Sequence, residues 1–248
     1  MTTEIETSRV SVEVADGTKM DAFLAQPKAR GPFPAVLLFQ EAFGVNAHIR
    51  DVAGRLAKEG FVTLAPELYH RLAPGFSSGY KDVGPALDLL SKLTVEGQVA
   101  DIKAAHEWLS KQVSVRPTEV SAVGFCMGGR TAFLASATVS LKAAVSFYGG
   151  GIAPALLDKA ADVFAPLLLL WGGLDKHIPP EQIRQLCGEL TRHGKPFVNA
   201  EFSSADHGFF CDSRSSFQPE TAKQAWVLTL QFLREPHPSS AAPTSFRR

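Results

Sequence analysis

The sequence predicts an α/β fold: a mainly parallel central sheet with helices on both faces and an N-terminal antiparallel hairpin. Three observations carry this expectation. Apolar runs of strand length recur without polar alternation, as buried parallel strands do, and segments of helical spacing lie between them. The first strand-like stretch instead alternates at period two around a turn dipeptide.

Taken in order, "RVSVEVADGTKMDAFLAQP" alternates on both sides of Asp16-Gly17, so Arg9 to Gln26 is read as a hairpin. Phe33 to Gln40, Gly60 to Leu68, Glu119 to Cys126, Leu141 to Gly149, Ala165 to Gly173 and Pro196 to Phe202 are largely apolar and read as buried strands. His48 to Glu59, Gly97 to Gln112, Met127 to Ala137, Pro180 to His193 and Pro219 to Arg234 carry apolar residues at helical spacing, with Pro180 suited to an early helical position. His70 to Pro85 mixes Gly, Ser, Pro and charge and reads as a loop that shapes or covers a pocket. The domain is expected over residues 8–235, with a small, polar, disordered tail over 236–248. No repeat or second-domain linker is found.

Composition narrows the function. In 248 residues, 45% of them hydrophobic, there is enough apolar material for a sizeable core. Lys plus Arg and Asp plus Glu balance at 25 each, and no basic run offers itself to phosphate backbones or anionic lipid, so nucleic acid and membrane are excluded as partners. No apolar stretch reaches bilayer length, and "MTTEIETSRV" lacks the pattern of a secretion signal, so a cytoplasmic location is expected. Cys126, Cys187 and Cys211 are too few and scattered for a disulfide framework or zinc knuckle and are read as free thiols.

One cysteine stands apart. In "SAVGFCMGGR", Cys126 lies between an apolar strand and a helix-like stretch, flanked by Gly124 and Gly128, which is the nucleophile-elbow pattern with cysteine in the serine position. A side chain on so sharp a turn occupies a strained backbone, and neighbours lacking Cβ let strand and helix approach. The helix amino terminus there favours thiolate, and the Met127 amide can face a developing oxyanion. The alternative is a buried structural cysteine beside a Gly-rich turn.

Such a nucleophile needs a proton acceptor and a group to orient it, in the chain order nucleophile, acid, histidine. "WGGLDKHIP" supplies Asp175 after a buried strand, and "EFSSADHGFF" supplies His207 after the last one; Asp206 and His177 are weaker rivals. At the end of the Phe33 strand, Gln40-Glu41 places a carboxylate at the same sheet edge, with Ala42 the candidate for a second oxyanion amide.

With these stretches, and with "FQEAFGVNAHIRDVAGRLAKEGFVTLAPELYHR", "YGGGI" and "DHGFFCDSR", the chain resembles the dienelactone hydrolase family of α/β-hydrolases over roughly Ser8 to Leu233. The resemblance implies a Cys126-His207-Asp175 triad, and a Glu41 that hydrogen-bonds the resting thiol and takes its proton when substrate reorganises the site. It also implies an oxyanion hole of the Ala42 and Met127 amides, and hydrolysis through a thioacyl-enzyme with no metal or organic cofactor. The partner is then a small-molecule ester or lactone, and the protein a monomer or homodimer. "HEWLS" at His106 lacks the second histidine of a zinc-protease helix.

One departure bears on substrate. Family members acting on dienelactone carry an arginine four residues after the histidine; here that position is Cys211. Arg214, Arg71 and Lys81 are candidate replacement cations, and loss of the anchor would suit a neutral or bulkier ester. Phe43, Tyr148, Phe209 and Phe210 are candidate pocket walls, and Cys211 is a second reactive thiol or inert packing. A thioesterase or broad carboxylesterase of the same fold, or a non-catalytic small-molecule binder, are the alternatives.

Overall fold

The computed structural model describes residues 3–236, so the expected disordered tail lies, apart from Pro236, outside the described residues. Strands β1 (Ile5–Glu13), β2 (Lys19–Pro27), β3 (Phe33–Phe39), β4 (Val62–Pro66), β5 (Val115–Phe125), β6 (Ala144–Phe147), β7 (Leu167–Gly172) and β8 (Phe197–Phe202) form one sheet. Its order is β1-β2-β4-β3-β5-β6-β7-β8. β1 pairs antiparallel with β2 in the expected hairpin, β2 antiparallel with β4, and β3 to β8 run parallel.

Burial follows the composition of the strands. β4, β6 and β7 bury every side chain, as do β3 from Ala35 and β5 from Val120, whereas the edge strand β8 has only partly covered and exposed positions. Two-sided burial is why the inner strands read as continuous apolar runs.

Helices α1 (Ala47–Lys58), α2 (Gly84–Lys92), α3 (Val95–Ser110), α4 (Met127–Ser136), α5 (Pro180–Arg192) and α6 (Pro219–Arg234) connect them, with a 3-10 turn at Leu157–Asp162. Asn46 caps α1 by accepting from the Ile49 amide at 3.2 Å, and the helix buries Ile49, Val52, Ala53 and Leu56. From β3 the chain moves to β4 on one side and then returns to β5 on the other. Right-handed crossovers in opposite directions place α1 and α3 on opposite faces and open a crevice at the carboxyl ends of β3 and β5.

Several boundaries differ from expectation: β1 begins at Ile5, four residues before Arg9, and β6 covers only Ala144–Phe147 of the expected Leu141 to Gly149. β5 begins at Val115, four residues early, because Phe33 pairs with Val115 before a register shift. The segment expected as a loop to Pro85 instead runs into α2 from Gly84, and a bridge between Gly44 and Ser77 ties it to the loop after β3. Among the described residues no helix is long and apolar enough to cross a membrane.

Candidate active site

β5 ends at Phe125, and Cys126 takes φ 55° and ψ −118°, in a region that L side chains rarely adopt. Among the described residues Tyr148 (φ 38°) is the other non-glycine with positive φ. Hydrogen bonds hold the bend: the Cys126 amide donates to the Phe147 carbonyl at 3.0 Å, and the Cys126 carbonyl accepts from Gly129 at 2.9 Å. A Cβ on Gly124 would collide with the Gly128 carbonyl, and one on Gly128 with the carbonyls of Phe39 and Gln40. The two glycines therefore let α4 start hard against β3 and β5, with the thiol at the tip of the turn.

From the ends of β7 and β8 come Asp175 and His207. Asp175 Oδ2 lies 2.7 Å from His207 Nδ1, and Asp175 Oδ1 accepts from the His177 amide at 2.8 Å, so both carboxylate oxygens are committed. Burial alone would push the His207 imidazole down. The Asp175 hydrogen bond and the adjacent Cys126 sulfur outweigh it and raise the pKa to about 10. For Asp175, burial pulls upward but the His207 partner wins, and its carboxyl is held below the usual range.

Glu41, fully buried, sits in a clamp. Tyr80 donates its hydroxyl to Oε2 at 2.8 Å, and Arg214 Nη1 donates to Oε1 at 3.1 Å. Asn46 Nδ2 donates to the Tyr80 oxygen at 3.1 Å and steadies it. The Arg214 guanidinium lies 5.9 Å from the Phe43 ring centre and 5.7 Å from that of Tyr80. It can lie there because Gly208 (φ 78°) has no side chain: a Cβ would come within 2.6 Å of the guanidinium carbon. Among the described residues no hydrogen bond joins Glu41 to Cys126, which differs from the resting contact implied by resemblance; the clamp already occupies both oxygens.

Cys126, Ala42, Met127, Phe43, His207 and Arg214 line one cavity of about 540 Å³, so the structure brings these six sequence candidates together. Among the described residues nothing accepts a hydrogen bond from the Ala42 or Met127 amide. Lys81 lies in an adjoining cleft with Tyr80 and Arg214.

Five candidates fall elsewhere, among them Phe210, which is buried and packs on Phe125 and Phe147. Arg71 binds Asp101 through both terminal nitrogens, at 3.0 and 2.8 Å, and Asp16 at 2.7 Å; this ion-pair network holds it away from the cavity. Phe209 is fully buried and packs on Tyr148 and Phe202 in the core. Tyr148 is likewise sealed, its ring 5.0 Å from that of His207, so it backs the histidine and does not face the cavity. Cys211 is buried, and burial followed by the charge of Glu41 pushes its thiol up to about 11, which favours the thiol over the thiolate. Donor atoms of Glu41, His48 and Cys211 lie within 4.8 Å of one another. With Arg214 against Glu41, the group is occupied by a cation of the chain's own and does not fit a metal ion.

Reasoning from sequence missed Tyr80, the α2 side chains Leu87 and Leu90 with Val83 before them, and Arg130, all of which line this cavity or its rim. Tyr80 and Val83 lie in a segment whose only signal was its composition. Arg130 had a signal: a cation in the first turn of α4, where the helix amino terminus disfavours positive charge.

The dienelactone hydrolase family profile matches residues 20–236. A Synechocystis protein provisionally named carboxymethylenebutenolidase is 38% identical over 243 residues, covering 94% of this chain and 98% of the relative. An Escherichia coli K12 protein of the same provisional name is 34% identical, covering 89% and 84%. The crystal structure of a Klebsiella pneumoniae protein, provisionally called a dienelactone hydrolase, superposes with a TM-score of 0.85 at 34% identity, covering 93% of this chain and 98% of that one. The fold and site thus define an α/β-hydrolase that acts on ester or lactone bonds. The chain belongs to the dienelactone hydrolase family.

Proposed function

We propose that the protein hydrolyses small-molecule esters or lactones with Cys126 as nucleophile, through a thioacyl-enzyme. The observation that carries this is the conjunction at one crevice of a cysteine at φ 55° on a strand-helix bend and a histidine held at 2.7 Å by a buried aspartate. His207 takes the thiol proton, and its raised pKa suits an imidazolium beside a thiolate. The sulfur attacks the carbonyl carbon, a C–S bond forms, and the π electrons move to oxygen, where the Ala42 and Met127 amides receive the charge. Collapse breaks the C–O bond, and the leaving alkoxide or enolate takes the proton from His207. A water molecule, giving its proton to the same imidazole, then attacks the thioester; carboxylate leaves and the sulfur is restored.

Glu41 has a different part here from the one the resemblance implies. Held by Tyr80 and Arg214, it fixes both side chains at the cavity rim and reaches the thiol only when one of them lets go. Kinetics across lactones, aryl esters and thioesters, for wild type and Cys126→Ser, test the assignment. The expectation is that oxygen esters and lactones are preferred over thioesters, and that the serine variant loses at least about 10²-fold because its hydroxyl is a poorer nucleophile at neutral pH. Hydrolysis retained in Cys126→Ala, which has no nucleophile at this position, would reject Cys126 as the attacking group.

A further inference from the structure

Tyr69 is buried three residues beyond β4 and takes no direct part in the reaction. Its hydroxyl nevertheless reaches both oxyanion candidates. The O–H donates to the Ala42 carbonyl at 3.0 Å, and the same oxygen lies 3.7 Å from the Met127 sulfur. One side chain therefore touches both residues whose amides would receive the negative charge. Burial, followed by the nearby Cys126 sulfur, pushes the Tyr69 pKa up, so the proton that makes this bond stays on the oxygen.

The contact belongs to a larger brace. The Gln40 side-chain oxygen accepts from the Leu68 amide at 3.3 Å, and the Ala42 carbonyl accepts from Tyr69. Leu68 and Tyr69 thus grip the loop after β3 at the residues before and after Glu41. The gripping segment is itself tethered: His70 Nε2 lies 3.0 Å from Asp101 Oδ1, and Arg71 donates to both oxygens of that carboxylate, which stands on α3. The ion pairs that keep Arg71 from the cavity therefore also hold the neighbouring tyrosine. Its ring packs edge-on against Phe76, with centres 5.7 Å apart.

The two candidate amides need this brace unequally. Met127 opens α4, and the helix aims its amide; Ala42 lies between β3 and α1, outside any helix or strand. A donor stabilises an oxyanion best when it is aimed before the charge appears, since reorientation during the reaction consumes the gain. Bonding the Ala42 carbonyl fixes the backbone of that residue and so limits rotation of its amide.

We propose that Tyr69 is a positioning residue that holds the Ala42 amide in its oxyanion-binding orientation, through the hydroxyl bond to the Ala42 carbonyl. This rests on the hydrolase reading above. Tyr69→Phe removes the hydroxyl and keeps the ring against Phe76, so the fold is retained, as far-UV circular dichroism checks. Acylation and deacylation both pass through an oxyanion, so kcat for 4-nitrophenyl acetate should fall about ten-fold or more, with KM within about two-fold of wild type. Alkylation of Cys126 by iodoacetamide forms a C–S bond and expels iodide without placing charge on a carbonyl oxygen, so its rate should stay within about two-fold. Phe76→Leu is the packing control: its Tm should fall while kcat stays within about two-fold.

A hydroxyl that only satisfied a buried carbonyl would lower Tm and leave kcat alone. That result in Tyr69→Phe, an alkylation rate that falls along with kcat, or an equal loss of kcat in Phe76→Leu would overturn the proposal. Retained hydrolysis in Cys126→Ala would instead reject the hydrolase reading, so the two failures are told apart.

Discussion

The two walls of the cavity are made in different ways. The wall with Cys126, Asp175 and His207 is built at the carboxyl ends of strands: Cys126 follows β5 directly, Asp175 lies three residues beyond β7 and His207 five beyond β8. The opposite wall is built from the loop carrying Tyr80 and the remote cation Arg214, both hydrogen-bonded to one buried carboxylate, and from the short helix α2, whose Ala86 packs with Ala42 and Phe43. Backbone geometry sets the first; a single charge, Glu41, organises the second. Substitutions should accordingly act on reaction rate at the first wall and on substrate choice at the second.

The largest effect expected is at Cys126, the proposed nucleophile. Cys126→Ala should reduce aryl-ester hydrolysis by about 10⁴-fold or more with an unchanged far-UV circular dichroism spectrum. Asp175→Asn follows, with a loss of about 10³-fold, since the buried carboxylate sets the His207 tautomer at 2.7 Å. Gly124→Ala should act on the fold, lowering stability by about 3 kcal/mol or preventing folding, because its methyl group would strike the Gly128 carbonyl. Thermal unfolding reads this, and a Tm within a degree of wild type would argue against the tight bend.

Smaller effects test the second wall. Tyr80→Phe removes one of two donors to buried Glu41 and should cost about 1–3 kcal/mol in stability, measured by urea titration, with a larger change in KM than in kcat. The His207 pair gives a sign. Its pKa is raised from 6.5 to about 10, so its contribution to stability is fully present below about pH 6.5 and is lost as pH rises through 10. The stability difference between wild type and His207→Gln should shrink on that alkaline limb; a difference that grows there contradicts the ion pair.

Legibility in the sequence followed the same division. The strands β3 to β7 were readable because burial on both faces leaves unbroken apolar runs, and the elbow was readable because its glycines sit at fixed offsets from Cys126. Asp175 and His207 followed from chain order. What remained hidden depends on contacts between distant segments. Nothing local shows that Arg214 meets Glu41 across 173 residues, or that Arg71 is already spent on Asp101 and Asp16. α2 was missed because it is nine residues long and begins at Gly84-Pro85, inside a stretch whose composition reads as loop. Tyr148 directly follows β6 and Phe209 lies in the turn after His207, and at both places pocket and core look alike until burial is known.

The central claim is a covalent bond to one sulfur. Rapid acid quench of wild type mixed with a slowly deacylating aryl ester, followed by peptide mass spectrometry, should find the acyl group on the peptide containing Cys126 and none on Cys187 or Cys211. Turnover with no acyl group on Cys126 at any time, or the label on another residue, would contradict the account.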